Sequence, residues 1–345
     1  MSTATINPVL EPVKAPPGYV ANRAILTGGS RQVTVLALIA VAIVLPFVLG
    51  EYRLFQATQV LIFAVAILGL NILTGYNGQI SVGHSAFLAM GAYATAILGI
   101  EFGMPYWLAI PTSGLICLGF GFLFGFPALR LQGFYLALAT FSLAVALPQL
   151  LRYKGIEQWT GGVQGLFVDK PAVPAGLPVT PDQWIYFVTL FVTIALFWAA
   201  WNLVRGPVGR AVIALRDHEV AAEVMGIRAS IFKSLTFGVS AMYTGIAGSL
   251  SALSIQFVAP DSFHMFVSVT LLVGAVVGGV ATIWGAFLGA LFVVFIPNVA
   301  EQISSNATWA VYGAFLLLVI YLMPNGMAGG LEDLFRRLRA RAPGR

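Results

Sequence analysis

Charged residues are scarce in this sequence. Only 9% of its 345 residues are Asp, Glu, Lys or Arg, and 59% are hydrophobic. Since a soluble domain carries about 25% charged residues, this composition excludes an ordinary soluble protein and indicates one that crosses a membrane many times. The formal net charge of +5 does not indicate nucleic-acid binding, because the basic residues lie in loops and tails between apolar segments.

Cysteine and clustered ionisable groups are also nearly absent. The single cysteine, Cys117, lies within an apolar run and cannot form an intrachain disulfide. The three histidines, His84, His218 and His264, are far apart and lack metal-ligand spacing. The apolar segments contain no Asp, Glu, Lys or Arg that could act there as acid, base or ion ligand. We therefore predict no catalytic residue, no metal site and no cofactor.

The apolar segments predict an all-α, polytopic membrane protein of about ten transmembrane helices. Their approximate bounds are 33–50, 55–74, 82–100, 105–126, 132–151, 183–204, 234–256, 266–283, 285–300 and 308–323. The glycine-rich pieces near 82–100 and 266–300 are candidates for broken or re-entrant helices. Glycines and other small residues four apart, as at Gly121 and Gly125, predict close helix packing, either within one subunit or at a dimer face.

The placement of Lys and Arg predicts the orientation. If both termini are cytoplasmic, 14 of the 18 Lys and Arg residues lie on the cytoplasmic side, as the positive-inside rule favours. We expect a polar cytoplasmic tail at 1–31, a transmembrane domain at 32–325 and a basic cytoplasmic tail at 326–345. Spans 2–5 and 7–10 then have opposite orientations, which leads to the hypothesis of an inverted-topology repeat.

The polar stretch 205–233 predicts two short amphipathic helices on the cytoplasmic side. Pro207 suits the first turn of one helix, Asp217 is the expected N-cap of the next, and Gly226 is its expected left-handed end. Val220 and Val224 fall on one face of the second helix, together with Ala221 and Met225. The alternative from the pattern alone is a plain solvated loop.

This loop resembles the cytoplasmic loop by which ABC importer permeases dock their ATPase subunits. The match is to the LivM-type permeases of branched-chain amino-acid importers, in which an arginine-rich helix precedes AAxxMGI. Glu219 lies one residue further from the glycine than in the commonest form of the loop. The resemblance implies an ATPase-coupling role for these residues: Arg210, Arg216, Asp217, Glu219, Ala221, Ala222 and Gly226.

A second polar run, from Asn71 to Ser85, carries more hydrogen-bonding side chains than a lipid-facing helix would. It predicts a broken helix beside a translocation path, and the alternative is a short cytoplasmic turn before an ordinary span. The run resembles the GYxGQxSxGHxAFxxxGAY segment of the same family. The predicted path residues are Asn71, Asn77, Gly78, Gln79, Ser81, Gly83 and His84.

Two further stretches resemble the family in part. Residues 159–166 are similar to its external TGGxxGL stretch, so that Thr160, Gly161 and Gly162 are candidates for contact with substrate or a binding protein. The alternative is that these loop glycines only serve turns. In the glycine-rich run 268–290, Ala281 and Ala286 stand where the family pattern has Gly and Pro.

The resemblance implies a multi-pass permease subunit of an ABC importer for branched-chain or related amino acids, in the bacterial inner membrane. The implied partners are a LivH-like second permease, two ABC ATPase subunits, a periplasmic binding protein and the lipid bilayer, with no nucleic acid. A urea or short-amide ABC permease is the nearest alternative. Two other classes are a secondary transporter, disfavoured by the absent intramembrane acids, and a membrane-embedded transferase, disfavoured by the absent acid, base and metal groups.

Overall fold

The computed structural model describes residues 40–128, 133–174, 178–303 and 307–341, and these are predominantly helical. The first helix, α1, covers 40–48. The others are α2 Glu51–Asn71, α3 His84–Ile100, α4 Tyr106–Ala128, α5 Phe134–Leu151, α6 Glu157–Thr160, α7 Pro181–Arg205, α8 Pro207–Asp217, α9 Glu219–Val224, α10 Ala229–Ile255, α11 Met265–Gly278, α12 Ile283–Ile303, α13 Thr308–Leu322 and α14 Gly326–Arg341.

The predicted all-α, polytopic class is confirmed, and the span count of ten stays approximate. In the described residues, seven helical segments are long and apolar enough to cross a membrane. An eighth results if Ala310–Leu322 and Gly326–Asp333, bent by 43° at their junction, form one span. Helix α3 is apolar and has only 17 residues. The predicted tail 1–31 lies outside the described residues, and the predicted tail 326–345 begins with α14.

Local sequence signals fix some of the helix ends. Thr180 caps α7: its hydroxyl oxygen accepts a hydrogen bond from the Gln183 backbone N–H at 3.3 Å, and the Gln183 side chain accepts one from the Thr180 N–H at 3.0 Å. Pro181 follows at the first helical position, where no backbone donor is needed. This reciprocal capping starts the 25-residue span at a defined residue.

Helices α2 and α10 form the centre of the bundle and are buried along most of their length. Helix α10 packs against α3 and α4, while α2 packs against α11 and α12. The first helix of each predicted repeat block therefore contacts the second and third helices of the other block. This reciprocal packing agrees with the hypothesis of an inverted-topology repeat.

Close glycine contacts make these helix pairs possible. A Cβ atom on Gly91 of α3 would overlap the carbonyl of Gly245 in α10, and one on Gly289 of α12 would overlap the carbonyl of Gly274 in α11. Gly121 of α4 lies in the same way against Ala241 of α10. The predicted small-residue faces at these positions thus serve packing within the subunit, where backbones meet at short distance.

The two ends of the bundle differ in construction. One end carries α8, α9 and the residues between α2 and α3. The opposite end carries an antiparallel ribbon in which β1 (Leu166–Phe167) pairs with β2 (Phe257–Val258). Ion pairs join Arg152 to Asp261 and Lys170 to Asp182 at this ribbon end, the second at 2.8 Å.

Candidate functional site at the α8–α9 end

The helical winding of α2 changes at its C-terminal end. Residues Ile72–Tyr76 form a π-helical segment, and the non-helical residues 77–83 then lead to His84 at the start of α3. We call residues 77–83 the α2–α3 connection. Gly78 within it has φ of 73°, in the left-handed region that favours glycine. At the predicted break the chain therefore turns between two helices. Three of the seven turn residues are buried, two are half-buried and two, Gly78 and Ile80, are exposed.

Asn71 connects the end of α2 to the turn between α11 and α12. Its Nδ2 donates to the carbonyl oxygens of Thr282 at 2.8 Å and Gly279 at 3.3 Å. Its Oδ1 accepts from the backbone N–H of Ala281 at 2.9 Å. Ala281 itself has φ of 59°, so that one buried amide holds a strained turn of the second block. The whole side chain is thereby engaged within the protein.

His84 joins three helices through a directional series of hydrogen bonds. The Ser240 hydroxyl donates to the carbonyl of Gly69 at 2.6 Å, so its oxygen accepts from His84 Nε2 at 2.7 Å. The other ring nitrogen, Nδ1, then accepts from the Ser81 hydroxyl at 3.0 Å. The network thus fixes the tautomer with the proton on Nε2 and ties the start of α3 to α2 and α10.

Hydroxyl groups from α5 and α11 hold the same region. Thr140 Oγ1 accepts from the backbone N–H of Val82 at 3.0 Å, and Ser268 Oγ accepts from that of Ser85 at 2.8 Å. A Cβ on Gly83 would come within 2.5 Å of the Thr140 carbonyl oxygen. Sequence reasoning does not identify the roles of Thr140, Ser240 and Ser268, because a lone hydroxyl in an apolar helix most often bonds to the backbone of its own helix.

The predicted path residues lie together but differ in exposure. Gly78 is exposed and Gln79 is half-buried, while the other five are buried. Asn77 is only 3% exposed, and neither atom of its amide has a hydrogen-bond partner among the described residues. A buried amide without partners is uncommon in native proteins and calls for a physical explanation.

The loop between α7 and α10 forms the two predicted helices, α8 and α9. Gly226 has φ of 87°, and the predicted left-handed helix end is confirmed. The prediction for Asp217 is wrong: this residue ends α8, and His218 takes the N-cap position of α9 without a side-chain cap. The Asp217 carboxylate instead accepts a 3.0 Å hydrogen bond from Arg216, the residue beside it.

The two faces of α9 have opposite environments. Ala222 is buried against Leu215 and Ala229 in a small cluster of its own. The other face is apolar and open. Its exposed large side chains, with their exposed fractions, are Val220 at 76%, Val224 at 81% and Met225 at 82%. We call these three residues the α9 apolar face, although Met225 is the residue directly after α9. Ala221 is exposed as well.

Polar contacts fasten this loop to the bundle. Glu219 pairs with Lys233 of α10 at 2.5 Å, and exposed Arg210 donates to the carbonyl of Arg205 at 3.3 Å. Arg216 makes the contact with the most distant element, since its Nη1 donates to the carbonyl oxygen of Gly75 in the π-helical segment at 2.8 Å. The loop is therefore joined directly to the end of α2.

The predicted residues of the external loop lie at the opposite end and form a turn. The Thr160 hydroxyl donates to the carbonyl of Leu151 at 2.8 Å, and Gly161 and Gly162 have φ of 69° and 56°. Thr160 and Gly162 are buried. Exposed apolar side chains beside them belong to Val163 and Phe167. The glycines therefore shape the loop, and its exposed surface belongs to neighbouring residues.

Comparison with known families decides what kind of membrane protein this is. The family model described as branched-chain amino acid transport system / permease component matches residues 52–323. The chain belongs to this family. The match contains the α2–α3 connection, the α8–α9 loop and the ribbon, so the permease carries its candidate site within the family domain.

Individual relatives of this permease are distant in sequence, and each match covers three quarters or more of both chains. The high-affinity branched-chain amino acid transport system permease protein LivM of Salmonella typhimurium is 29% identical, over 86% of this chain and 75% of that protein. The autoinducer 2 import system permease protein LsrC of an Enterobacter species is 29% identical, over 79% and 78%. The solved structure of PsaBC from Streptococcus pneumoniae in complex with Fab covers 83% of this chain and 97% of that one, with 14% identity and a TM-score of 0.42.

Proposed function

We propose that this chain is the membrane-spanning permease subunit of an ABC importer that carries branched-chain or related amino acids into the cytoplasm. The observation that carries the proposal is the α9 apolar face. Three large apolar side chains stand exposed on a short helix at the end of the bundle, where a solvated loop would present polar groups. Such a face suits a helix that docks into a groove of a partner protein.

The proposed partners at this end are two ABC ATPase subunits. We propose 32–325 as the permease domain, 205–233 as its coupling loop, and the α8–α9 end as the cytoplasmic end, with both termini inside. A LivH-like second permease completes the membrane part of the complex. A periplasmic binding protein delivers substrate at the ribbon end, where Val163 and Phe167 are exposed beside the 160–162 turn. The bacterial inner membrane is the proposed location.

The α2–α3 connection and Asn71 are proposed to border the translocation path. The support is the unpartnered amide of Asn77, the exposure of Gly78 and the half-buried Gln79 in a segment that joins the central helix α2 to α3. The remaining polar groups of the segment are engaged with α5, α10 and α11. Their role in the proposal is to position the backbone, and no single residue is a dominant substrate anchor.

Docking is tested by co-purification. Val224→Glu places a carboxylate in the middle of the α9 apolar face, and we expect the ATPases to be lost from the purified complex. Val163→Glu is the matched control, because Val163 is also an exposed valine, 67% accessible, but lies at the ribbon end. We expect normal ATPase co-purification for this control. Full retention of the ATPases by Val224→Glu would show that α9 is only a connector.

Energy source and substrate are tested by uptake into cells or proteoliposomes containing the whole complex. Import of labelled leucine should stop on ATP depletion while the proton gradient stays intact, whereas a secondary transporter would depend on the gradient. Autoinducer 2 and urea belong in the same panel, the first because of the LsrC relatives. Transport of either one, with no transport of leucine, would keep the ABC mechanism and replace the amino acid as substrate.

A further inference from the structure

The guanidinium of Arg216 lies between the loop and the core of the bundle. Its Nη1 donates to the Gly75 carbonyl at 2.8 Å, and its Nε donates to Asp217 at 3.0 Å. Carbonyls at a helix end have no partner inside the helix, so a cation that satisfies one of them holds that end in place. The side chain is about one quarter exposed, which shields these hydrogen bonds from most of the solvent.

The aliphatic stem of Arg216 makes a second connection, to Gly78. A Cβ on Gly78 would lie 2.8 Å from Arg216 Cγ, so the arginine stem occupies the space that a side chain would fill. One residue thus contacts the π-helical segment through its head group and the α2–α3 connection through its stem. A small cavity of about 30 Å³ lies beside this contact, between the segment and helices α7, α8 and α10, next to Tyr76 and Val212.

The contact continues into the second repeat block. Gly75 is one helical turn after Asn71, and a Cβ on Gly75 would overlap both Asn71 Oδ1 and the backbone nitrogen of Ala281. Asn71 in turn bonds to the α11–α12 turn at 2.8 and 2.9 Å. Any shift of Gly75 relative to α8 therefore acts on both blocks at once. Contiguous packed groups of this kind carry energetic coupling between sites.

We infer that Arg216 is the positioning residue through which movement of the α8–α9 loop displaces the π-helical segment and the α2–α3 connection. This inference rests on the proposed function, since it assumes that ATPases move the loop. The α9 apolar face binds the ATPase. Arg216 does not contact the ATPase and transmits the movement of the loop to the bundle. The unpartnered amide of Asn77 lies in the displaced connection and gains a partner in the shifted state.

The test separates docking from transmission. Arg216→Ala should leave the ATPases bound and hydrolysing ATP, while substrate uptake per ATP hydrolysed falls by about tenfold. Arg228→Ala is the matched control, because Arg228 belongs to the same loop, is exposed and has no hydrogen bond to Gly75 in the described structure. We expect the control to keep uptake per ATP within about twofold of the parent.

A labelling measurement reports the movement itself. In a Cys117→Ser background, Gln79→Cys should react with a thiol reagent at different rates in the resting and vanadate-trapped complexes. Adding Arg216→Ala should abolish this difference although vanadate still traps nucleotide. Adding Arg228→Ala should preserve it. If Arg216→Ala gives too little protein, Arg216→Gln removes the charge with less loss of packing and should show the same loss.

Two results would overturn the inference. One is unchanged uptake per ATP in both Arg216 variants. The other is a Gln79→Cys reactivity that still changes on trapping when Arg216 is replaced. Both differ from failure of the proposed function, in which no ATPase co-purifies with the parent protein or its uptake is independent of ATP.

Discussion

The α2–α3 connection has a counterpart in the second predicted block, at the opposite end of the bundle. This counterpart is the α10–α11 connection, residues 256–264. Each leads to a histidine at the boundary of the next helix, His84 or His264. His84 is buried and bonded through both ring nitrogens. His264 is exposed, and its ring packs edge-on against Phe266. The two connections thus have similar topology, but the histidine of one is buried and that of the other is exposed.

The two connections are held in place by different kinds of contact. The α2–α3 connection is held by side-chain hydrogen bonds from several helices, which a shift of one helix can exchange. The α10–α11 connection is held by backbone pairing with β1 and by the ion pair between Arg152 and Asp261. We expect the first connection to be sensitive to substitution and the second to be tolerant. Three experiments test this comparison.

The largest effect is expected from Gly83→Val. A branched side chain there meets the backbone carbonyl of Thr140, which belongs to α5 and cannot move aside alone. We expect uptake to fall by more than about tenfold, with less protein in the membrane, because overpacking costs about 1–3 kcal/mol or more. Gly99→Val in α3 is the control, since a Cβ on Gly99 has no neighbour within 4 Å among the described residues. Equal uptake by the two variants would contradict a tightly held connection.

A smaller effect is expected from His84→Ala. It removes hydrogen bonds to Ser81 and Ser240, each worth about 1 kcal/mol, and leaves a space in the core. The purified complex should lose activity at a lower temperature, and uptake should decrease moderately. His264→Ala changes the equivalent residue of the other block and should alter neither quantity. Similar losses from both histidines would mean that the two connections do not differ.

The smallest effect is expected at the ribbon end. Replacing Arg152 by Met, Asp261 by Asn, or both, removes an ion pair whose side chains are 30% and 72% exposed. Solvent screening limits such a pair to less than about 1 kcal/mol. A double-mutant cycle on the thermal inactivation midpoint should therefore give a coupling energy near zero. A large coupling energy would show that the ribbon end is as dependent on side chains as the other end.

The sequence predicts the helices well, because the thickness of the bilayer sets the length of an apolar run. Each of the ten predicted segments overlaps a helix in the described residues, which leave out 33–39 of the first segment. The match is to helices and not to ten full spans, because α1 and the 17-residue α3 are shorter than a span. Gly226 is predicted correctly as a left-handed residue, since glycine after a short amphipathic helix has few other roles. The N-cap prediction for Asp217 fails because α8 extends through this residue, so that His218 has the extended conformation of the N-cap.

The sequence does not predict contacts between residues that are far apart along the chain. Asn71 and Ala281 are 210 positions apart, and nothing in either local pattern indicates their hydrogen bond. The pairing of Leu166 with Val258 is equally non-local, and two-residue strands have no periodicity to detect. Ala281 is a partial exception: it stands where the family pattern has glycine, and its φ of 59° supplies the physical reason for glycine there.

The α9 apolar face also has a consequence for biosynthesis. Insertion into the bilayer hides the apolar helices but leaves Val220, Val224 and Met225 on a short helix at the end of the bundle, with 76–82% of each still exposed. If the ATPases cover this face, as proposed, a chain made in excess of them exposes three apolar side chains to chaperones, to proteases and to other copies of itself. On that proposal, the cellular abundance of this chain should follow the supply of the ATPases, and the subunits should be synthesised in matched amounts.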